Sequence, residues 1–219
     1  MATAMPVVGI RPRTAQHRAA KLQINQHISP NCGPRRNGLR PSLVVLHYTA
    51  MQSASAAIDR LCDPAYEVSA HYVIARDGQV TLLVPEDQRA WHAGAGQWQG
   101  QVDINSRSIG IELDNTGAHP FPEPQMVALE TVLGGILGRW GIAPENVIGH
   151  SDMAPGRKVD PGPHFDWTRL ARQNLAAGAP ASPIDPSNLA ETAHAAGYTA
   201  ACDIADLRQA VALRWPRLG

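Results

Sequence analysis

Short β-branched runs alternate with helical patterns over residues 43–176, and that alternation limits the chain to a sheet covered by helices. "LVVLHYTA" (43–50) reads as a buried strand carrying His47 near its C-terminal end. "SASAAIDRLCD" (53–63) is a short helix. "SAHYVIARDGQVTLLVPE" (69–86) is two apolar runs around Asp77-Gly78, the strongest local hairpin signal in the chain. "RSIGIELDN" (107–115) alternates as a strand with Glu112 inside it. "EPQMVALETVLGGILGRWG" (123–141) is the longest helical pattern, ended by Gly141. "ENVIGH" (145–150) reads as a strand delivering His150, and "DWTRLARQNLA" (166–176) as a helix capped by Asp166. The expectation is an α/β (α+β) domain with a central mixed β-sheet flanked by helices.

The flanks differ in character. Residues 1–27 read as a flexible basic arm: no Asp or Glu precedes Asp59, while Arg11, Arg13, Arg18, Lys21, Arg35, Arg36 and Arg40 all fall before it. Such an arm fits a disordered extension, a transit-peptide-like segment or a contact with an anionic partner. Residues 177–187, "AGAPASPIDPS", form a linker by composition. Within 188–219, "NLAETAHAAGY" and "ADLRQAVALRW" are two short helices, too small to fold alone. They are expected to pack on the main domain or to be a remnant of a binding module.

Composition excludes several classes. With 19 basic and 19 acidic residues the net charge is zero, so bulk charge does not point to nucleic acid. No apolar run reaches the roughly 18 residues of a membrane span. Three cysteines, Cys32, Cys62 and Cys202, are odd in number and widely spaced, which suggests neither a disulfide framework nor a metal knuckle. The N-terminus lacks the basic region and long apolar core of a secretory signal, so a cytoplasmic location is the default expectation. A monomer is expected.

"GHSDMAPGRKVDPGPHFDW" (149–167) packs His150, Lys158 and Asp160 into one rigid, polar loop. With His47 this makes two imidazoles and one carboxylate, a set common in catalytic zinc sites that keep one position open. Zinc–ligand bonds of about 2.0–2.2 Å demand fixed directions. Strand ends supply them for the histidines, and Pro161 restricts Asp160 to extended conformations. Taken alone, a strand histidine is more often a packed or surface residue than a ligand, and Glu112 in an alternating strand is more often an edge-strand glutamate pointing into solvent.

"LHYTA", "SAHYVIARDG", "RAWHAG", "SIGIEL" and "GHSDMAPGRKVDPGPHFDW", in that order from about Ile28 to Leu175, resemble zinc-dependent N-acetylmuramoyl-L-alanine amidases. The resemblance is to the branch that includes muropeptide-recycling amidases, akin in fold to peptidoglycan recognition proteins. It implies a catalytic domain over 28–176; the helical appendage from about Asn188 is a departure, absent from the short recycling amidases, and its "AAGYTA…DLRQAV" resembles part of a helical peptidoglycan-binding module. It also implies one Zn²⁺ per chain on His47, His150 and Asp160, with Glu112 as general base and Lys158 beside the developing oxyanion. The implied substrate is a muropeptide or peptidoglycan fragment, with or without the 1,6-anhydro sugar, cut between N-acetylmuramic acid and L-alanine. Trp91 and His92 are candidates for lining the sugar or peptide groove, and Asn105 and Arg107 for binding substrate carboxylates. His71 reads as a packed strand histidine, and His164 as a surface residue. Two alternatives stay open: an exported amidase acting on polymeric peptidoglycan, and a non-catalytic peptidoglycan receptor on the same fold.

Overall fold

The structure, a computed structural model, describes residues 22–216. The arm's residues 1–21 and the last three residues lie outside the described residues. The first strands are β1 (Ile24–Gln26), β2 (Cys32–Pro34) and β3 (Leu43–Tyr48), followed by helix α1 (Ala54–Cys62). Next come the hairpin β4 (Tyr72–Ile74) and β5 (Val80–Leu82), then β6 (Gln88–Ala90) and the one-turn helix α2 (Ile104–Arg107). Strand β7 (Ser108–Leu113) leads through helix α3 (Glu123–Trp140) to β8 (Val147–Gly149). Helices α4 (His150–Met153), α5 (Trp167–Arg172), α6 (Leu189–Ala195) and α7 (Ile204–Arg214) complete the chain.

Six strands form one mixed sheet in the order β1-β5-β4-β7-β3-β8, parallel except at the β4–β5 hairpin. β2 and β6 form a separate antiparallel pair. The sequence expectation of a central mixed sheet with flanking helices holds. Ile24–Gln26, read from sequence as part of the arm, instead adds a parallel edge strand beside β5.

Strand alternation assigns the two faces of the sheet. Val44, Leu46, Ile109, Ile111, Leu113, Tyr72 and Ile74 point to one side. There Met126, Leu129, Leu133 and Ile136 of α3, with Trp167 and Leu170 of α5, bury them. Pro124 sits in the first turn of α3, where its missing N–H costs nothing, and Gly141 ends the helix in the left-handed conformation at φ 65°. Asp166 caps α5 by accepting from the Arg169 backbone N–H.

The other face holds Leu43, Val45 and Ile148, and the tail covers them. Leu189, Ala193, Tyr198, Leu207, Ala210 and Val211 join these strand residues and Met153 in one apolar cluster. The tail is thus packed into the domain.

A buried polar group fastens it. Asp152 accepts from the Gly149 backbone N–H at 2.7 Å and from the Tyr198 hydroxyl at 2.9 Å. The Arg214 guanidinium lies 3.9 Å from the same carboxylate, donates to the Val147 carbonyl and stacks 3.4 Å over the Trp167 ring. Removing one partner of a buried ion pair costs about 3–5 kcal/mol. Arg214→Ala is therefore expected to lower unfolding free energy by about 3 kcal/mol in urea. Exposed Arg208→Ala should change it by less than about 0.5 kcal/mol. Equal stabilities would show that the buried cation contributes nothing to the fold.

Candidate metal centre

β3 and β7 pair in parallel register, with His47 opposite Glu112. Alternation puts His47 on the face opposite Val44 and Leu46, and puts Ser108, Gly110 and Glu112 together on the face opposite Ile109, Ile111 and Leu113. One half of each strand packs under α3; on the other half of β3, Leu43 and Val45 lie under the tail and His47 is left for chemistry. β8 ends at Gly149, and His150 opens α4 rather than ending the strand. The 149–160 loop then folds back so that the Ser151 backbone N–H donates to the Asp160 carbonyl. The Asp160–Pro161 peptide bond is cis.

These elements bring three buried side chains to one point. His47 Nδ1 lies 2.9 Å from His150 Nδ1 and 2.9 Å from Asp160 Oδ2, and His150 Nδ1 lies 3.0 Å from the same oxygen. Among the described residues this is a group able to hold a metal ion. Hydrogen-bond accounting supports the fit. His150 Nε2 lies 2.9 Å from the Ala93 carbonyl, which can only accept, so Nε2 carries a proton and the neutral ring presents a lone pair at Nδ1. A carboxylate oxygen is also an acceptor. Two imidazole nitrogens and a carboxylate oxygen this close together suit a divalent ion. Burial, reinforced by the neighbouring His150 and only partly offset by Asp160, pushes His47 down to about 4, so its ring is neutral as a metal ligand must be.

The group opens on a pocket of about 460 Å³ whose lining includes Tyr48, Trp91, Glu112, Arg157 and Lys158. Glu112 Oε2 has no hydrogen-bond partner among the described residues. Burial, with Asp160 adding and Lys158 opposing, pushes the Glu112 carboxyl up to about 8. The sign of the stability effect follows. Below 4.5 both folded and unfolded chains hold the proton and there is no penalty. Between 4.5 and about 8 the unfolded chain ionises first, so the fold loses stability, and the loss is complete above that range. In the metal-free protein, Glu112→Gln should therefore gain about 1–3 kcal/mol over the native chain at pH 8 and almost nothing at pH 4. Urea titrations at the two pH values check this; an equal difference at both would contradict it.

The remaining candidates fall in different places. Trp91 and His92 both line the pocket. Asn105 is buried, and its Oδ1 accepts from the backbone N–H groups of His92 and Ala93 at 3.0 and 2.8 Å. Arg107 donates to the Val102 carbonyl. Neither Asn105 nor Arg107 is among the residues lining that pocket. His71 is fully buried, accepts from the Gly110 backbone N–H and stands 3.1 Å from the Arg35 guanidinium. Sequence reasoning missed Arg157, whose guanidinium donates to the Ala93 and Ala95 carbonyls and lies 3.4 Å from His150 Nε2. It ties the loop after Trp91 to the loop holding Asp160. Its position next to Lys158 carried no signal separating it from an ordinary surface charge.

A mixed sheet with two imidazoles and a carboxylate converging at one end, and a free carboxyl and ammonium lining the same pocket, defines the class as a candidate metallohydrolase. The chain belongs to the N-acetylmuramoyl-L-alanine amidase family, whose model matches residues 37–163. It is 36% identical over 199 residues to N-acetylmuramoyl-L-alanine amidase AmiD of Escherichia coli, covering 78% of this chain and 71% of that protein. It is 37% identical over 159 residues to 1,6-anhydro-N-acetylmuramyl-L-alanine amidase AmpD of Enterobacter cloacae, covering 65% and 85%. Among solved structures, E. coli AmiD in complex with the substrate anhydro-N-acetylmuramic acid-L-Ala-D-γ-Glu-L-Lys superposes with a TM-score of 0.69 at 33% identity, covering 81% of this chain and 82% of that one. AmpDh3 of Pseudomonas aeruginosa in complex with anhydromuramic pentapeptide gives 0.71 at 30%, covering 83% and 85%.

Proposed function

We propose that this chain is a zinc-dependent amidase that hydrolyses the bond between N-acetylmuramic acid, or its 1,6-anhydro form, and L-alanine of the stem peptide. The observation that carries the reading is the approach of His47 Nδ1, His150 Nδ1 and Asp160 Oδ2 to within 3.0 Å of one another, beside the unpartnered Glu112 Oε2. Zinc bound by these three residues would supply a Lewis acid for the scissile carbonyl and lower the pKa of water towards about 7. Glu112 takes a proton from the attacking water and returns it to the departing amine. A carboxyl drawn towards neutral pH by burial is suited to both transfers. The Lys158 ammonium sits on the pocket wall, where it stabilises charge developing on the carbonyl oxygen. Trp91 offers an apolar ring face in the same pocket for sugar or peptide.

In this reading residues 28–176 are the catalytic unit, and Tyr198 and Arg214 of the tail support it by holding Asp152, two positions after a metal ligand. The substrate is a soluble muropeptide and the location cytoplasmic. No described helix is long and apolar enough to cross a membrane. The test is mass spectrometry of products from anhydro-muropeptides and from intact sacculi, with and without a chelator. The expected products are anhydro-N-acetylmuramic acid and a peptide with a free L-alanine amine, formed only without chelator. Stoichiometric zinc with no cleavage of any muropeptide would favour a receptor. Cleavage of sacculi alone would favour an enzyme of polymeric peptidoglycan.

A further inference from the structure

We infer that His92 is a positioning residue, which sets the tautomer and ring plane of His47 through a one-way chain of hydrogen bonds running His47–His92–Ser108–Ile104. The inference rests on the metal reading above and concerns what prepares the ligand.

The direction of the chain is fixed from its far end. Ser108 Oγ lies 2.6 Å from the Ile104 carbonyl oxygen, which can only accept, so the single hydroxyl proton is spent there. Ser108 Oγ also lies 3.1 Å from His92 Nε2, and with its proton committed it accepts from Nε2–H. A neutral imidazole carries one N–H, so His92 Nδ1 is an acceptor. Among the described residues its ring nitrogens meet Ser108 Oγ and His47 Nε2, and no carboxylate that would favour an imidazolium. His92 Nδ1 lies 3.0 Å from His47 Nε2, which must therefore donate. One proton again serves one ring, so His47 Nδ1 presents its lone pair to His150 and Asp160.

The surroundings are built for this ring. The two rings meet edge to face, with centroids 5.1 Å apart. Asn105 pins the backbone on either side of the residue by accepting from the N–H groups of His92 and Ala93. Gly110, in the middle of β7, makes the room: a Cβ there would stand 2.4 Å from His92 Cγ. Although His92 reaches the pocket, both its ring nitrogens are engaged inside the protein, which leaves neither for substrate.

Asparagine places its Oδ1 near the position of a histidine Nδ1, so His92→Asn keeps an acceptor for His47, whereas His92→Leu removes it. Zinc affinity measured by chelator competition at one pH should fall about 10–100-fold in His92→Leu. It should recover to within a few-fold of the native value in His92→Asn. In the unsubstituted, zinc-loaded protein, ¹⁵N–¹H correlation spectra of the imidazoles should show His92 protonated at Nε2 and bare at Nδ1, a readout that does not depend on a variant folding. Native affinity in His92→Leu, equal loss in both variants, or a His92 protonated at Nδ1 would overturn the inference. Native protein that binds no zinc would instead sink the metal reading itself.

Discussion

Glu112→Gln should lower turnover of an anhydro-muropeptide about a thousandfold while leaving bound zinc at the native level. Glutamine matches glutamate in shape and fills the same place on β7 opposite His47. It cannot carry a proton from water to amine. General acid–base catalysis is worth about 10²–10⁴-fold, and here one carboxyl is asked to perform both transfers, which places the loss in that range. Its poise comes from burial first and Asp160 second, with Lys158 opposing. Metal content should not change, because the three ligand atoms belong to other residues. A variant within tenfold of native turnover would remove Glu112 as the base, and one that also lost its zinc would make it a structural support.

Asp160→Ala should abolish activity at equimolar zinc and weaken zinc binding by more than about a hundredfold, beyond the cost of losing a supporting hydrogen-bond partner. The carboxylate is the only negative charge in the group of three, and both histidine Nδ1 atoms lie within 3.0 Å of its Oδ2. Two imidazoles would remain, with no negative charge to offset that of a divalent ion. Asp160 is also buried, so the substitution leaves space without leaving an unpaired charge. The fold should therefore survive and the loss be read as metal binding. Chelator competition and steady-state rates measure the two effects. Native zinc affinity in this variant would place the ion elsewhere.

Much of the frame was legible because strands and helices carry different apolar periods. Val44 and Leu46 of "LVVLHY" and Ile109, Ile111 and Leu113 of "SIGIEL" are aliphatics bound for α3, and the polar residues His47 and Glu112 fall on the opposite phase. The hairpin at Asp77-Gly78, the end of α3 at Gly141 and the Asp166 cap were visible from residues with particular backbone or side-chain needs. What escaped depends on tertiary pairing. β1, β2 and β6 are three-residue strands with no pattern of their own, ordered by ladders to distant segments. The tail's helices could be read, but not the surface they cover, and nothing in Tyr198 or Arg214 announced Asp152 as a partner. At the site, residue type did not separate pocket wall from support. Asn105 spends its side chain on backbone amides, a role any buried amide can take. Gly110 did carry a signal, since a glycine inside a strand marks a close approach. The ring of His92 makes that approach.

The most direct measurement is metal content by mass spectrometry of the purified protein after dialysis against limiting zinc, beside a His47→Ala/His150→Ala double variant. One zinc per chain in the native protein and none in the folded double variant is the expected result. A native protein without metal, or a double variant retaining a full equivalent, would contradict it.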